Sequence, residues 1–241
     1  MNDGPGDRAA PTRPPRPAVT TTVGLLAVVA VAGRTGPPGT ALLLGPIASV
    51  GALCIGRVAG LDADDLGLGR RTWRTGAAWG VGCAAAVAAC YAAAAAIPAV
   101  RPAFHDARYG LDPGAAARTA FLVVPLGTVL FEEVAFRGVL WGLVHAAKGP
   151  GWATSVSSVL FGLWHVLPSL RLNRVNPAVA GLVGTGRAGQ ATAVAGAVAF
   201  TAVAGVVLCE LRRRSGSLWA PFGAHWGTNG LGVLVTAGLS R

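Results

Sequence analysis

Glu132 and Glu133 lie side by side inside an apolar run from Thr119 to Ala147, whereas the remaining glutamate, Glu210, sits beside Arg212, Arg213 and Arg214. A carboxylate near the centre of a bilayer costs about 2.5–3.5 kcal/mol on insertion scales, so an intramembrane acid is a working group by default. Arg137 follows Glu133 at i+4, the spacing and orientation of a helical ion pair, which would hold Glu133 charged and fixed. Glu132 has no cation at that spacing and keeps the freer carboxylate, the kind a water-activating base requires.

Two histidines fall inside other apolar runs. His165 follows Phe161 by one helical turn, and His225 shares a helix face with Asn229. An imidazole can help hold a water, and an amide with a second imidazole can donate to a developing oxyanion. Glu132, His165, His225 and Asn229 therefore make a set for water-mediated hydrolysis of an acyl bond without a nucleophilic side chain. His105 and His145 lie near span ends and are expected to face solvent or headgroups.

These residues must be carried by membrane helices. The 241-residue chain is 53% hydrophobic and 12% charged, about half the charge of a soluble domain. Runs near the roughly 20 residues needed to cross a bilayer can be read at Val19–Gly33, Thr40–Val58, Gly76–Val100, Thr119–Ala147, Trp152–Leu170, Ala191–Leu208 and Leu218–Leu239. The expected fold class is all-α: a polytopic transmembrane helical bundle of about seven spans around a polar intramembrane cavity.

Lys148-Gly-Pro-Gly151 is a tight reversal that makes the flanking helices antiparallel neighbours. Glu132 lies seventeen positions before Gly149 and His165 sixteen after it, so the two sit at nearly equal depth. The three polar sites can then share one cavity.

The organisation read from composition is a disordered cytoplasmic tail over 1–18, N-terminal transmembrane helices over 19–118 and a site-bearing transmembrane region over 119–239. The net charge of +10 does not point to nucleic acid, because the basic residues lie in loops rather than along one polar face. If the spans alternate, the tight clusters at Arg70, Arg71, Arg74 and Arg212–Arg214 share the side of the N-terminus, which favours a cytoplasmic N-terminus in a plasma membrane protein. Cys54, Cys83, Cys90 and Cys209 lie in or at the ends of spans, with no Cys-x-x-Cys pair, and read as small core residues.

The motifs resemble those of the CPBP or Abi family of intramembrane proteases, which groups type II CAAX prenyl endopeptidases with bacteriocin-processing enzymes. Glu-Glu-x-x-x-Arg matches Glu132, Glu133 and Arg137; Phe-x-x-x-His matches Phe161 and His165; His-x-x-x-Asn matches His225 and Asn229. The stretch Gly216–Pro221 is also similar to the family, so the resemblance spans roughly Thr119 to Leu239.

The resemblance implies an intramembrane endopeptidase acting on a membrane-associated protein or peptide, a prenylated CAAX-type tail among the options. It implies that Glu132 activates water with His165, that His225 and Asn229 stabilise the tetrahedral intermediate, and that Glu133 and Arg137 support them. The family is commonly labelled as metalloproteases, but this mechanism requires no metal and the chain lacks His-Glu-x-x-His. If zinc is used, Glu132, His165 and His225 are its expected ligands. Aspartyl and serine intramembrane chemistries fit poorly, since no Gly-x-Gly-Asp or Gly-x-Ser-x-Gly is present. The alternative is a non-enzymatic membrane protein, a bacteriocin-immunity scaffold or a proton-coupled transporter, built on the same polar cluster.

Overall fold

The computed structural model describes residues 16–37 and 39–240. The expected tail falls mostly outside them, and its last three residues, 16–18, form the first turn of a helix instead. The principal helices are α1 (Arg16–Thr35), α2 (Thr40–Val58), α3 (Trp73–Ala96), α4 (Pro113–Lys148), α5 (Pro150–Trp164), α6 (Pro177–Val183), α7 (Arg187–Ser215) and α8 (residues 219–239). Among the described residues there is no strand.

Five helices, α1, α2, α3, α4 and α7, are long and apolar enough to cross a membrane. Two of the seven expected spans differ from these for identifiable reasons. α5 has 15 residues and breaks at His165, where the chain turns into the short helices Val166–Ser169 and Leu172–Val175. α8 is continuous, but His225 and Asn229 dilute its hydrophobicity. Both interruptions occur at the polar residues singled out above.

Large apolar side chains such as Leu43, Ile47, Phe200 and Val203 point outward and are well exposed. An apolar surface of that kind needs lipid to cover it. Packing is helped by small residues: a Cβ on Gly80 would collide with the Trp219 carbonyl, and one on Gly223 with the Gly80 backbone, so α3 and α8 meet backbone to backbone. Of the cysteines only Cys209 is buried; Cys54 and Cys90 are exposed and Cys83 is half-buried, because their helix faces look outward.

The core gathers on α4. Phe131, Phe136, Val139, Leu140 and Leu143 are almost wholly buried and pack with Ala52 of α2, Phe161 of α5 and Leu208 of α7. Asp112 starts α4 by accepting from the Ala115 N–H at 3.0 Å, with Pro113 in the first turn. Gly149, at φ 85°, ends it and hands the chain directly to Pro150 of α5.

α4 is not a uniform α-helix. Thr119–Val129 and Glu133–Leu140 are wound as π-helix. Such widening relieves Pro125, which lacks an N–H. Carbonyls along it take side-chain donors from neighbouring helices: Ser157 Oγ donates to Phe136 O at 2.9 Å, and Trp226 Nε1 to Ala120 O at 2.8 Å. α8 has its own π turn at Gly227–Leu231, around Asn229.

Candidate active site

The junction of α and π winding in α4 presents Glu132, Glu133 and Arg137 to the interior, where they are 4%, 1% and 0% exposed. Burial this deep demands internal partners. Arg137 Nη1 donates to Glu133 Oε1 at 3.0 Å, the ion pair expected from the spacing. Its guanidinium carbon also lies 3.9 Å from the centre of the Phe161 ring, a cation–π contact inside a desolvated site.

Phe161 is the hub of the cluster. Besides Arg137, its ring meets His165 edge-on at 4.7 Å and His225 at 5.7 Å. The aromatic of Phe-x-x-x-His is thus the surface against which the cation and both imidazoles are packed. Spacing alone gave no sign of this, since two of its three partners come from other helices.

His225 links the two glutamates. Its Nδ1 is 2.7 Å from Glu133 Oε1, and because a carboxylate accepts, Nδ1 carries the proton. Its Nε2 lies 3.7 Å from Glu132 Oε2, beyond hydrogen-bond range. His165 caps the end of α5 and donates from Nδ1 to Phe161 O at 2.8 Å, which leaves Nε2 as the ring's free nitrogen.

Glu132 is less free than its spacing suggested. Oε1 accepts from Trp164 Nε1 at 3.0 Å, while Oε2 has no hydrogen-bond partner among the described residues. Trp164, next to His165, is the site residue that motif reading missed. Its signal was modest: a donor-bearing aromatic in a span, at the depth of an acid.

Two cavities meet at these groups. A vestibule of about 470 Å³ reaches Glu132, His165 and Asn229 from a polar rim that includes Asp106, Arg108 and Asn176. A largely apolar groove of about 640 Å³, walled by Val87, Phe200, Val203 and Val207, runs between α3, α7 and α8. Groove and vestibule share Tyr91, His165, Thr228 and Asn229. Tyr91 secures the junction by donating from its hydroxyl to Thr228 O at 3.0 Å.

The rim is fixed by its own bonds. Asn176 donates to Ala103 O at 3.1 Å and caps α6 through Val179 N at 3.1 Å. Burial acts to raise the Asp106 carboxyl, but hydrogen bonds and charge from Arg108 outweigh it and hold Asp106 below its ordinary range. His105 and His145 are exposed and away from the cluster, as expected, with His145 stacked on Trp141 at 4.5 Å.

All six expected site residues therefore belong to one neighbourhood: Glu133, Arg137 and His225 in a bonded cluster, and Glu132, His165 and Asn229 lining the cavity beside it. Residues 115–231 match the family model described as Rce1-like, type II CAAX prenyl endopeptidase. Over that segment the chain is similar to the Rce1-like family. The match begins in the first turn of α4 and ends just past Asn229, so it contains every residue of the cluster. No curated protein and no solved structure matches the chain. With five helices long and apolar enough to cross a bilayer, the chain is a multi-pass membrane protein.

The donor types at the site suit zinc, but their placement does not. Among the described residues no three His, Cys, Asp or Glu side chains converge to hold a metal ion. His225 and Glu132 approach only to 3.7 Å, and the His225 Nδ1 is committed to Glu133.

Proposed function

We propose that the chain is an intramembrane endopeptidase that hydrolyses a peptide bond of a membrane-associated protein or peptide. The observation that carries this reading is the Glu132 carboxylate, anchored at Oε1 by Trp164 and buried without a hydrogen-bond partner at Oε2, on a residue that lines one cavity with His165 and Asn229. A base needs one oxygen fixed and the other available.

Glu132 Oε2 takes a proton from a water that His165 Nε2 helps to hold, and the oxygen adds to the carbonyl carbon. The Asn229 amide, whose side chain has no hydrogen-bond partner among the described residues, donates to the oxyanion. His225 adds a second donor only when both ring nitrogens carry protons, because Glu133 already takes the Nδ1 proton. The two carboxylates facing that ring supply the counter-charge. Collapse of the intermediate breaks the C–N bond, and Glu132 returns the proton to the leaving amine.

The groove between α3, α7 and α8 suits a substrate held in the bilayer, since its walls are apolar and it joins the vestibule at His165 and Asn229. A prenylated CAAX-type tail is one such substrate. A membrane-anchored peptide of the opposite face is the second. The vestibule rim lies on the face where α1 ends and α4 begins, away from the arginine clusters at 70–74 and 212–214. Those clusters favour a cytoplasmic N-terminus in the plasma membrane, which would turn the rim outward.

Hydrolysis is tested with the purified protein in lipid vesicles and ¹⁸O-labelled water. One labelled oxygen in the new carboxylate is expected. Proton flux without peptide cleavage would instead support a transporter.

A further inference from the structure

Asn229 is the least secured residue of the site. Its amide has no hydrogen-bond partner among the described residues, so no bond of its own aims it. An oxyanion donor is effective only when it is preorganised. The direction of the amide therefore has to come from the backbone beneath it, the π turn Gly227–Leu231 of α8.

That turn is held from α3. Gly223 lies against the Gly80 backbone, and a Cβ on Gly227 would stand 3.1 Å from the Ala84 Cα, so the two helices stay in close contact up to the turn. Tyr91, two turns beyond Ala84, ends this seam and donates from its hydroxyl to Thr228 O at 3.0 Å, on the residue immediately before Asn229. The Tyr91 ring is itself set edge-on against Phe104 at 5.4 Å. Thr228 Oγ1 donates in turn to His225 O at 2.8 Å, so one hydroxyl braces the stretch between the two residues assigned to the oxyanion. The π winding of α4 is met by the same device, with Ser157 and Trp226 as the outside donors.

We infer that Tyr91 is a positioning residue of the reaction: its hydroxyl holds the π turn that aims the Asn229 amide at the junction of groove and vestibule. The inference rests on the hydrolytic reading and deepens it, because it names what orients the oxyanion donor. Without the Tyr91 hydroxyl the turn loses its tie to α3, and Asn229, which lines both cavities, is free to turn toward either. Tyr91 lies outside the matched segment 115–231, so α3 of this chain supplies a part of the site that the family model does not contain.

The test is binding, so it does not depend on turnover. Two dye-labelled peptides are titrated onto the full chain in phosphatidylcholine vesicles: one carries a trifluoromethyl ketone, whose hydrate is tetrahedral at the reacting carbon, and the other a methyl ketone, which stays trigonal. Wild type is expected to prefer the hydrate, as a site built for the intermediate does. Tyr91→Phe keeps the ring and removes the donor, and should lower that preference roughly five- to tenfold with methyl ketone affinity unchanged, which also shows that the variant is folded. In an Asn229→Ala protein, adding Tyr91→Phe should change neither affinity, because the amide that the turn aims is already gone. With a cleavable peptide, Tyr91→Phe should lower kcat and leave KM in place. A preference that Tyr91→Phe leaves intact, or lowers equally with and without Asn229, overturns this inference alone, as does an equal weakening of both ketones. No preference in wild type contradicts the hydrolytic reading and takes the inference with it.

Discussion

His225 joins Glu133 through Nδ1 at 2.7 Å and stands 3.7 Å from Glu132 through Nε2, so one imidazole separates a bonded carboxylate from an available one. The two adjacent acids thereby acquire different work. Glu133 is committed to Arg137 and His225, and Glu132 faces the cavities.

Replacing Glu133 by Gln removes the partner of a wholly buried arginine. Breaking a buried pair from one side costs about 3–5 kcal/mol, so thermal unfolding of the Glu133→Gln protein in detergent should occur at clearly lower temperature. Activity should fall as well, because His225 loses its fixed acceptor. A Glu133→Gln protein as stable as wild type would show that the pair contributes little.

Trp164 should act through Glu132. Trp164→Phe keeps an aromatic ring beside Phe131 but deletes the N–H that holds Oε1. Loss of a hydrogen bond to a charged acceptor predicts a roughly ten- to hundredfold lower kcat with little change in KM. Steady-state kinetics on a peptide substrate checks this, and a change confined to KM would assign Trp164 to substrate packing.

The face on which the vestibule opens is measurable. With the native cysteines replaced, Arg108→Cys at the rim should react with a membrane-impermeant maleimide in intact cells, and Arg71→Cys only after permeabilisation. The reverse pattern would turn the vestibule to the cytoplasm and favour a cytoplasmic prenylated tail.

Activity should survive chelators. The Glu and His side chains of the cluster do not meet at one point among the described residues, so o-phenanthroline is expected to leave peptide cleavage intact. Full loss restored by added zinc would contradict the water-activation scheme.

Much of the site was legible because polar groups in lipid have few innocent explanations. Glu132, Glu133 and Arg137 stood out against their apolar run, and the i+4 pair formed as its spacing required. The Gly149 and Pro150 reversal placed His165 opposite Glu132 to good approximation. What stayed hidden depended on geometry that one-dimensional spacing does not carry. The π winding of α4 arises from tertiary donors, Ser157 and Trp226, as much as from Pro125. Trp164 became a partner of Glu132 only because α5 ends one residue later and turns its last side chains toward α4. The two expected spans outside the five long apolar helices are the ones the site itself makes short or polar.

Peptide cleavage by purified wild type and Glu132→Gln protein, side by side in lipid vesicles, tests the central claim most directly. Cleavage by wild type and none by a folded Glu132→Gln protein is the predicted result. Equal cleavage by the two would mean that Glu132 does not activate the attacking water.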